Sequence, residues 1–403
     1  MTLNRNVTAA IGVGVLLLAG LVYAWTVLQA PIAAAYPEWT GGQLSLTFTL
    51  TMIFFCLGGM CGGYLQKKIK PRTIIQLAAV LFLLGFGVSS QAHTLVLLYV
   101  GTGVLAGFGS GLAYNAVMGT VSCWFPDKQG VISGILLMGF GMSSFLVGKL
   151  YAAFTPSDGG DAWRMSFLLI AGVLCAALLA ASFFIKRPDA SWQAPASTKA
   201  KAAKTSYENV KTAGMLKRVS FWLCFVWATV LTAAGLAVIS QGSPLALQVN
   251  PGLSAGTVAT AVGLLSIFNG IGRIAVGFIF EGAGRFWSMM LTGLFFLVGL
   301  GLVVAALLLE SFALLVVAFC VVGFAYGNVP PTLSAFSYLF YGPENYPLNY
   351  SMLNLNLLIA SFGSTIAGAV YDAAGSYVVV MGAAAALVVA GTLLAALIRA
   401  PRS

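Results

Sequence analysis

Of the chain's 403 residues, 60% are hydrophobic and only 7% are charged, with a formal net charge of +10. A soluble domain needs about 25% charged residues to wet its surface, so these proportions exclude one. They fit an integral membrane protein. Its apolar runs are long and unalternating, as in LTGLFFLVGLGLVVAALLL at 291–309, which excludes a barrel built from short alternating strands.

Breaking the runs at polar, charged and Gly/Pro clusters predicts twelve membrane-spanning helices in two groups of six. The first six fall near 8–29, 43–65, 73–90, 95–121, 130–153 and 164–185. The second six fall near 219–246, 255–280, 286–308, 312–339, 348–371 and 377–398. The opening run has a signal-peptide flavour, one Arg followed by apolar residues, but it continues through Trp25 to Leu28 and is long enough to span uncleaved. His93 sits in the polar link SSQAHT between spans three and four and reads as a loop residue rather than a proton relay. The six cysteines have no paired spacing and read as small apolar filler, so no metal site is expected.

The long polar stretch KRPDASWQAPASTKAKAAKTSYENVKTAGMLKR, 186–218, divides the chain into an N-terminal half (1–185), a linker (186–218) and a C-terminal half (219–403). With the linker cytoplasmic, that face also receives Arg5, Lys67, Lys68, Lys70, Arg72, Lys128, Arg285, Arg399 and Arg402. Lysine and arginine concentrate on the cytoplasmic side of spanning proteins. Both termini are therefore expected to be cytoplasmic in a multi-pass protein of the cell's inner membrane. The charge of +10 follows from topology, and no nucleic-acid partner is needed to explain it; the bilayer is the expected surrounding, and a monomer the expected unit.

An internal repeat links the halves. GSGLAYNAV at 109–117 returns as GFAYGNV at 323–329, which places Tyr114 and Tyr326 212 positions apart in spans four and ten. A second echo sets GGYLQKKIKPR (62–72) against GFIFEGAGRF (277–286). Parallel repeats of this kind suit transporters that rock about a site at the membrane midplane.

Arg273 stands inside the apolar run of span eight. A cation at that depth costs about 3 kcal/mol or more, and a guanidinium does not deprotonate to escape the cost. None of the ten carboxylates falls in mid-span. A carboxylate substrate is the simplest partner, because the planar fork matches it with two hydrogen bonds; bonding to helix carbonyls or snorkelling toward the membrane surface is the alternative. Asn269, one turn earlier on the same face, can orient the guanidinium or bond the substrate. Tyr114 and Tyr326 can each offer a hydroxyl to one anion, or can simply pack among the small residues around them. Pro330-Pro331 is expected to disturb span ten just after Tyr326.

These features resemble the major facilitator superfamily, and within it the oxalate/formate antiporter group and the monocarboxylate transporters. VYAWTVLQAP (22–31), GLAYNAVMGTVSCWFPDKQGVISGI (111–135) and NGIGRIAVGF (269–278) carry the resemblance. It implies an all-α membrane fold of twelve helices in two six-helix halves, with alternating access to a central site. It adds Tyr23 as a substrate residue, and it implies gating contacts at Asp127, Lys128 and Arg285. Two departures stand out. Asn269 occupies the place of an Asp in monocarboxylate transporters, and span eleven, YSMLNLNLLIASF (350–362), lacks the oxalate carrier's lysine. The acidic residue usual in the loop after span two is also missing, since Gln66 and Lys67 stand there.

One core cation implies a substrate with one negative charge, of the lactate, pyruvate or formate type. The resemblance favours proton linkage; exchange of anions, or carriage of another small organic solute, is the alternative. No nucleophile–base pair, metal cluster or phosphate loop is found, so neither an enzyme nor a cofactor is expected.

Overall fold

The computed structural model describes residues 4–155, 160–189 and 208–399. Asp158 and positions 190–207 of the expected linker lie outside them. Among the described residues all regular structure is helical. Backbone groups in hydrocarbon have no water to bond, and a helix satisfies them within one segment.

All twelve expected spans are present. Nine described helices are long and apolar enough to cross a membrane; one of them, Thr260–Leu308, holds most of spans eight and nine, while Arg5–Ala19 and Gln129–Ser143 are shorter apolar helices. Span one is interrupted, running as Arg5–Ala19, a 3-10 turn at Gly20–Ala24, and Trp25–Ala35. Span two, Gly41–Leu65, opens on a capping box in which the Thr40 and Gln43 side chains bond each other's backbone N–H. Span three, Pro71–Ser90, starts with proline in its first turn, where no helical N–H is lost. Span four passes through a π-helical stretch, Tyr99–Ala106, before Gly107–Val121.

Spans eight and nine form one helical run, Ala255–Leu308, interrupted at Gly284, whose φ of 78° is open to glycine at little cost. Span ten runs unbroken from Phe312 to Tyr341 through both Pro330 and Pro331, contrary to the expected disturbance. Two successive prolines still remove two N–H groups, so the carbonyls of Tyr326 and Gly327, four residues earlier, lose their helical donors. Span eleven is instead the segmented one, as Tyr346–Asn354, Asn356–Ala360 and Phe362–Ala374.

The chain packs as two compact units. Unit one comprises Met1–Asp127, Gly139–Lys204 and Tyr346–Ser351; unit two comprises Lys128–Met138, Thr205–Asn345 and Met352–Ser403. Spans five and eleven are therefore each divided, with their opening turns packed in the unit that does not hold the rest of the span.

The repeated small residues have a common packing role. A side chain at Gly111 would collide with the Phe55 carbonyl of span two, and one at Gly323 would collide with the Leu265 carbonyl of span eight. Span four thus lies backbone to backbone on span two, and span ten on span eight. At the opposite end of unit one from Lys67–Arg72, Arg164 joins three connections. It donates to Asp161 (2.8 Å), the Ser90 and Ala92 carbonyls (2.8 and 2.9 Å) and the Tyr36 hydroxyl (2.5 Å). His93 is an exposed loop residue 3.4 Å from that guanidinium.

Candidate functional site

In unit two, Gly134 of span five lies so close to span eight that a side chain there would strike the Arg273 carbonyl. This approach brings the Leu137 carbonyl, one turn further along span five, within reach of the Arg273 side chain, whose Nη1 donates to it. Arg273 Nε donates to Asn269 Oδ1 at 2.9 Å. Asn269 is buried and the arginine half-buried. The amide fixes the guanidinium plane from one turn away, as its position on the helix face predicts.

Two neutral acceptors do not neutralise a cation. Ion pairs join Arg5 to Asp127, Arg164 to Asp161 and Arg218 to Glu208, and none of these involves Arg273. Its Nη2 has no hydrogen-bond partner among the described residues. Tyr326, also in unit two, is 9% exposed, and its phenol lies within electrostatic range of Arg273. A side chain at Gly235 of span seven would overlap the tyrosine ring, which is thereby held in place. The cluster combines a fixed cation with free donors, a neutral amide that orients it, and a phenol nearby. Such a set can take one carboxylate through charge-assisted hydrogen bonds.

Tyr114 has different surroundings from its repeat mate. It belongs to unit one and is 3% exposed, with its hydroxyl 2.6 Å from that of Tyr350. Phe55 and Phe140 meet its ring edge-on, with centroids 5.2 and 5.0 Å away. Tyr350, which sequence reasoning passed over, comes from the opening turns of span eleven and stacks on Tyr346. Its recurrence one turn after Tyr346 was the available signal. The backbone of Tyr23 lies in the 3-10 turn of span one, and its side chain falls outside those described.

Of the expected gating residues, Asp127 accepts from Arg5 at 2.9 Å, and Lys128 is exposed. Arg285 donates to the carbonyls of Ala395 (3.3 Å) and Ile398 (2.9 Å), closing the end of span twelve. A residue not singled out, Glu281, accepts from the Val131 N–H at 3.0 Å. Its charge lies at the N-terminus of span five, where the helix dipole favours an anion. Among the described residues no group of three His, Cys, Asp or Glu side chains could hold a metal ion.

The sequence profile of the Major Facilitator Superfamily matches residues 10–357. The chain belongs to that superfamily. It is a multi-pass membrane transporter, not an enzyme. The oxalate:formate antiporter of Oxalobacter formigenes is 27% identical to it over 338 residues, covering 82% of this chain and 77% of that one. Human monocarboxylate transporter 11 is 33% identical over 123 residues, 29% of this chain and 26% of the relative. Among solved structures, the proton:xylose symporter XylE matches with a TM-score of 0.72 at 16% identity, over 98% of this chain and 97% of that one. The fucose transporter FucP in its outward conformation matches with a TM-score of 0.67 at 15% identity, over 96% and 98% of the two chains. At such identities the solved structures show the fold alone.

Proposed function

We propose that this transporter carries a small monocarboxylate of the lactate, pyruvate or formate type by alternating access, in symport with a proton. The carrying observation is Arg273, a half-buried cation whose bonds go to the Asn269 amide and the Leu137 carbonyl and whose Nη2 faces no described carboxylate. The substrate carboxylate accepts from Nη2, Asn269 holds the guanidinium plane, and Tyr326 donates its hydroxyl to the second oxygen or to a substituent. The anion offsets the buried cation, which lowers the cost of that charge in a low-dielectric interior. The partial likeness to oxalate:formate and monocarboxylate carriers supports this class of cargo. The lysine and arginine bias supports a cytoplasmic placement of both termini in the cell membrane.

A separate observation favours a second reading, exchange of one monoanion for another. Among the described residues neither a carboxylate nor a histidine bonds to the Arg273 guanidinium, so the cluster itself offers no such group to carry a symported proton.

Uptake of radiolabelled L-lactate into proteoliposomes, with and without an inward proton gradient, tests both readings. Gradient-stimulated uptake that falls about 100-fold or more in Arg273→Ala, as expected when a charge-assisted contact to a buried anion is removed, supports proton-linked carriage. Uptake that requires a preloaded anion supports exchange. Undiminished uptake in the variant removes Arg273 from the site.

A further inference from the structure

The contact that closes one end of unit one is made without an ion pair. Gln66, which ends span two where the family resemblance leads one to expect an acidic loop, is 4% exposed. Its Nε2 donates to Asn115 at both Oδ1 (2.7 Å) and the backbone carbonyl (3.0 Å). Asn115, 1% exposed in span four, donates through Nδ2 to Ser351 Oγ (2.5 Å) and to the Pro347 carbonyl (2.8 Å). Ser351 Oγ in turn reaches the carbonyls of Gly59 (2.9 Å) and Pro347 (2.8 Å). Both hydrogens and the oxygen of the Asn115 amide are thus engaged, and the opening turns of span eleven are tied to spans two and four. Charge enters only at the margin, where Arg187 Nη2 donates to Gln66 Oε1 at 3.3 Å.

We propose that Gln66, Asn115 and Ser351 form an uncharged latch that holds residues 346–351 on spans two and four in one state of the transport cycle. These are positioning residues; none is asked to touch the substrate. A buried chain of satisfied neutral hydrogen bonds is geometrically exacting, because any partner pulled away leaves a buried polar group without water. It is also nearly indifferent to ionic strength, since neutral groups attract no screening ions. The latch therefore keeps its strength across salt conditions, with Arg187 engaged only at its edge. The role in the cycle rests on the superfamily membership, and the latch is independent of the cargo proposed above.

The test is amide hydrogen exchange of the full-length protein in lipid nanodiscs, followed by mass spectrometry and paired with vesicle uptake. In the wild type, exchange of 346–351 is expected to change less than twofold between 50 mM and 500 mM NaCl, the change in screening being set by the Debye length. Ser351→Ala should speed that segment's exchange at least fivefold and leave spans eight and ten unchanged. Gln66→Glu should also speed it at least fivefold, because a carboxylate cannot make the two donations to Asn115. Arg187→Gln should leave it within about twofold of wild type, since that guanidinium touches the chain of bonds only at its edge. Exchange is read without substrate, so undiminished uptake in Arg273→Ala would sink the cargo reading and leave the latch standing. Unchanged exchange of 346–351 in Ser351→Ala or in Gln66→Glu would overturn the proposal.

Discussion

Unit one and unit two each hold the opening turns of a divided span against a polar cluster, and the two clusters are built on opposite plans. Around Asn115 every side chain in the chain of bonds from Gln66 to Ser351 is neutral, and the central amide is satisfied on all sides. Around Arg273 a cation has, among the described residues, an amide oxygen and a carbonyl as its acceptors and retains donors. A saturated neutral network rigidifies, because each partner would be stranded without the others. An undersaturated cation does little holding and costs stability, but it attracts an anion. The difference separates two duties that composition alone would lump together as polar residues in a membrane.

The contrast is sharpest at Asn269. Asn269→Asp puts a carboxylate at the 2.9 Å position now occupied by the amide oxygen, supplying the counter-ion that the wild type lacks. The anion must then compete with it, and affinity for lactate at pH 7 should fall about tenfold or more, an opposing charge at this distance being able to shift ionisation equilibria by 1–3 pH units. The sign follows from protonation. Beside the guanidinium the introduced carboxyl titrates below the ordinary carboxylate range, so the ion pair, and with it the loss of affinity, persists from pH 5 to 8. Wild-type affinity for the anion should stay flat from pH 5 to 8, because the guanidinium remains protonated throughout. Titration calorimetry across that range checks both curves, and an undiminished affinity in the variant would mean that residue 269 does not govern the cation offered to the anion.

A crossed pair of substitutions separates holding from binding. Asn115→Ala strands the Gln66 amide and the Ser351 hydroxyl and should cost about 1–3 kcal/mol of stability, with anion affinity unchanged. Arg273→Ala should leave the unfolding temperature equal or higher, since a half-buried cation without an ionic partner is removed, while binding disappears. Thermal unfolding followed by intrinsic fluorescence, alongside the same calorimetry, reads both. If either variant lost stability and binding together, the division of duties would fail.

The spans were legible because bilayer thickness imposes a length on every apolar run, whatever the neighbours do. Even the break between spans eight and nine fell within the stretch left between 280 and 286, at Gly284. Arg273 was legible for the complementary reason: a permanent charge among apolar residues needs an explanation that sequence alone can demand. Its acceptor, the Leu137 carbonyl, was not, since backbone acceptors have no residue signature and the contact joins residues 136 positions apart. Tyr114 and Tyr326 share a sequence motif but not their surroundings. Tyr350, which takes the hydroxyl of Tyr114, comes from 236 positions away, and nothing in the repeat specifies it. The expected gating contacts followed the charges, while the bonds that tie span eleven to spans two and four run through Gln66, Asn115 and Ser351. Uncharged polar residues are common enough in spanning helices that their pairing is visible only in three dimensions.

The smallest expected effect concerns Glu281, which makes the unit-two counterpart of the unit-one contact a charged one. Its carboxylate accepts from the Val131 N–H in the first turn of span five. Glu281→Gln keeps an oxygen able to accept the same hydrogen bond and removes only the charge, so what disappears is the attraction of an anion to the helix dipole, about 0.3–1 kcal/mol. The unfolding temperature should drop slightly at low ionic strength, and the gap from wild type should close as NaCl rises and the Debye length shrinks toward about 3 Å. Ser351→Ala in unit one should show a loss that salt does not close. Two losses with the same salt dependence would mean that the two contacts do not differ in kind, and the contrast between a neutral and a charged attachment would have to be given up.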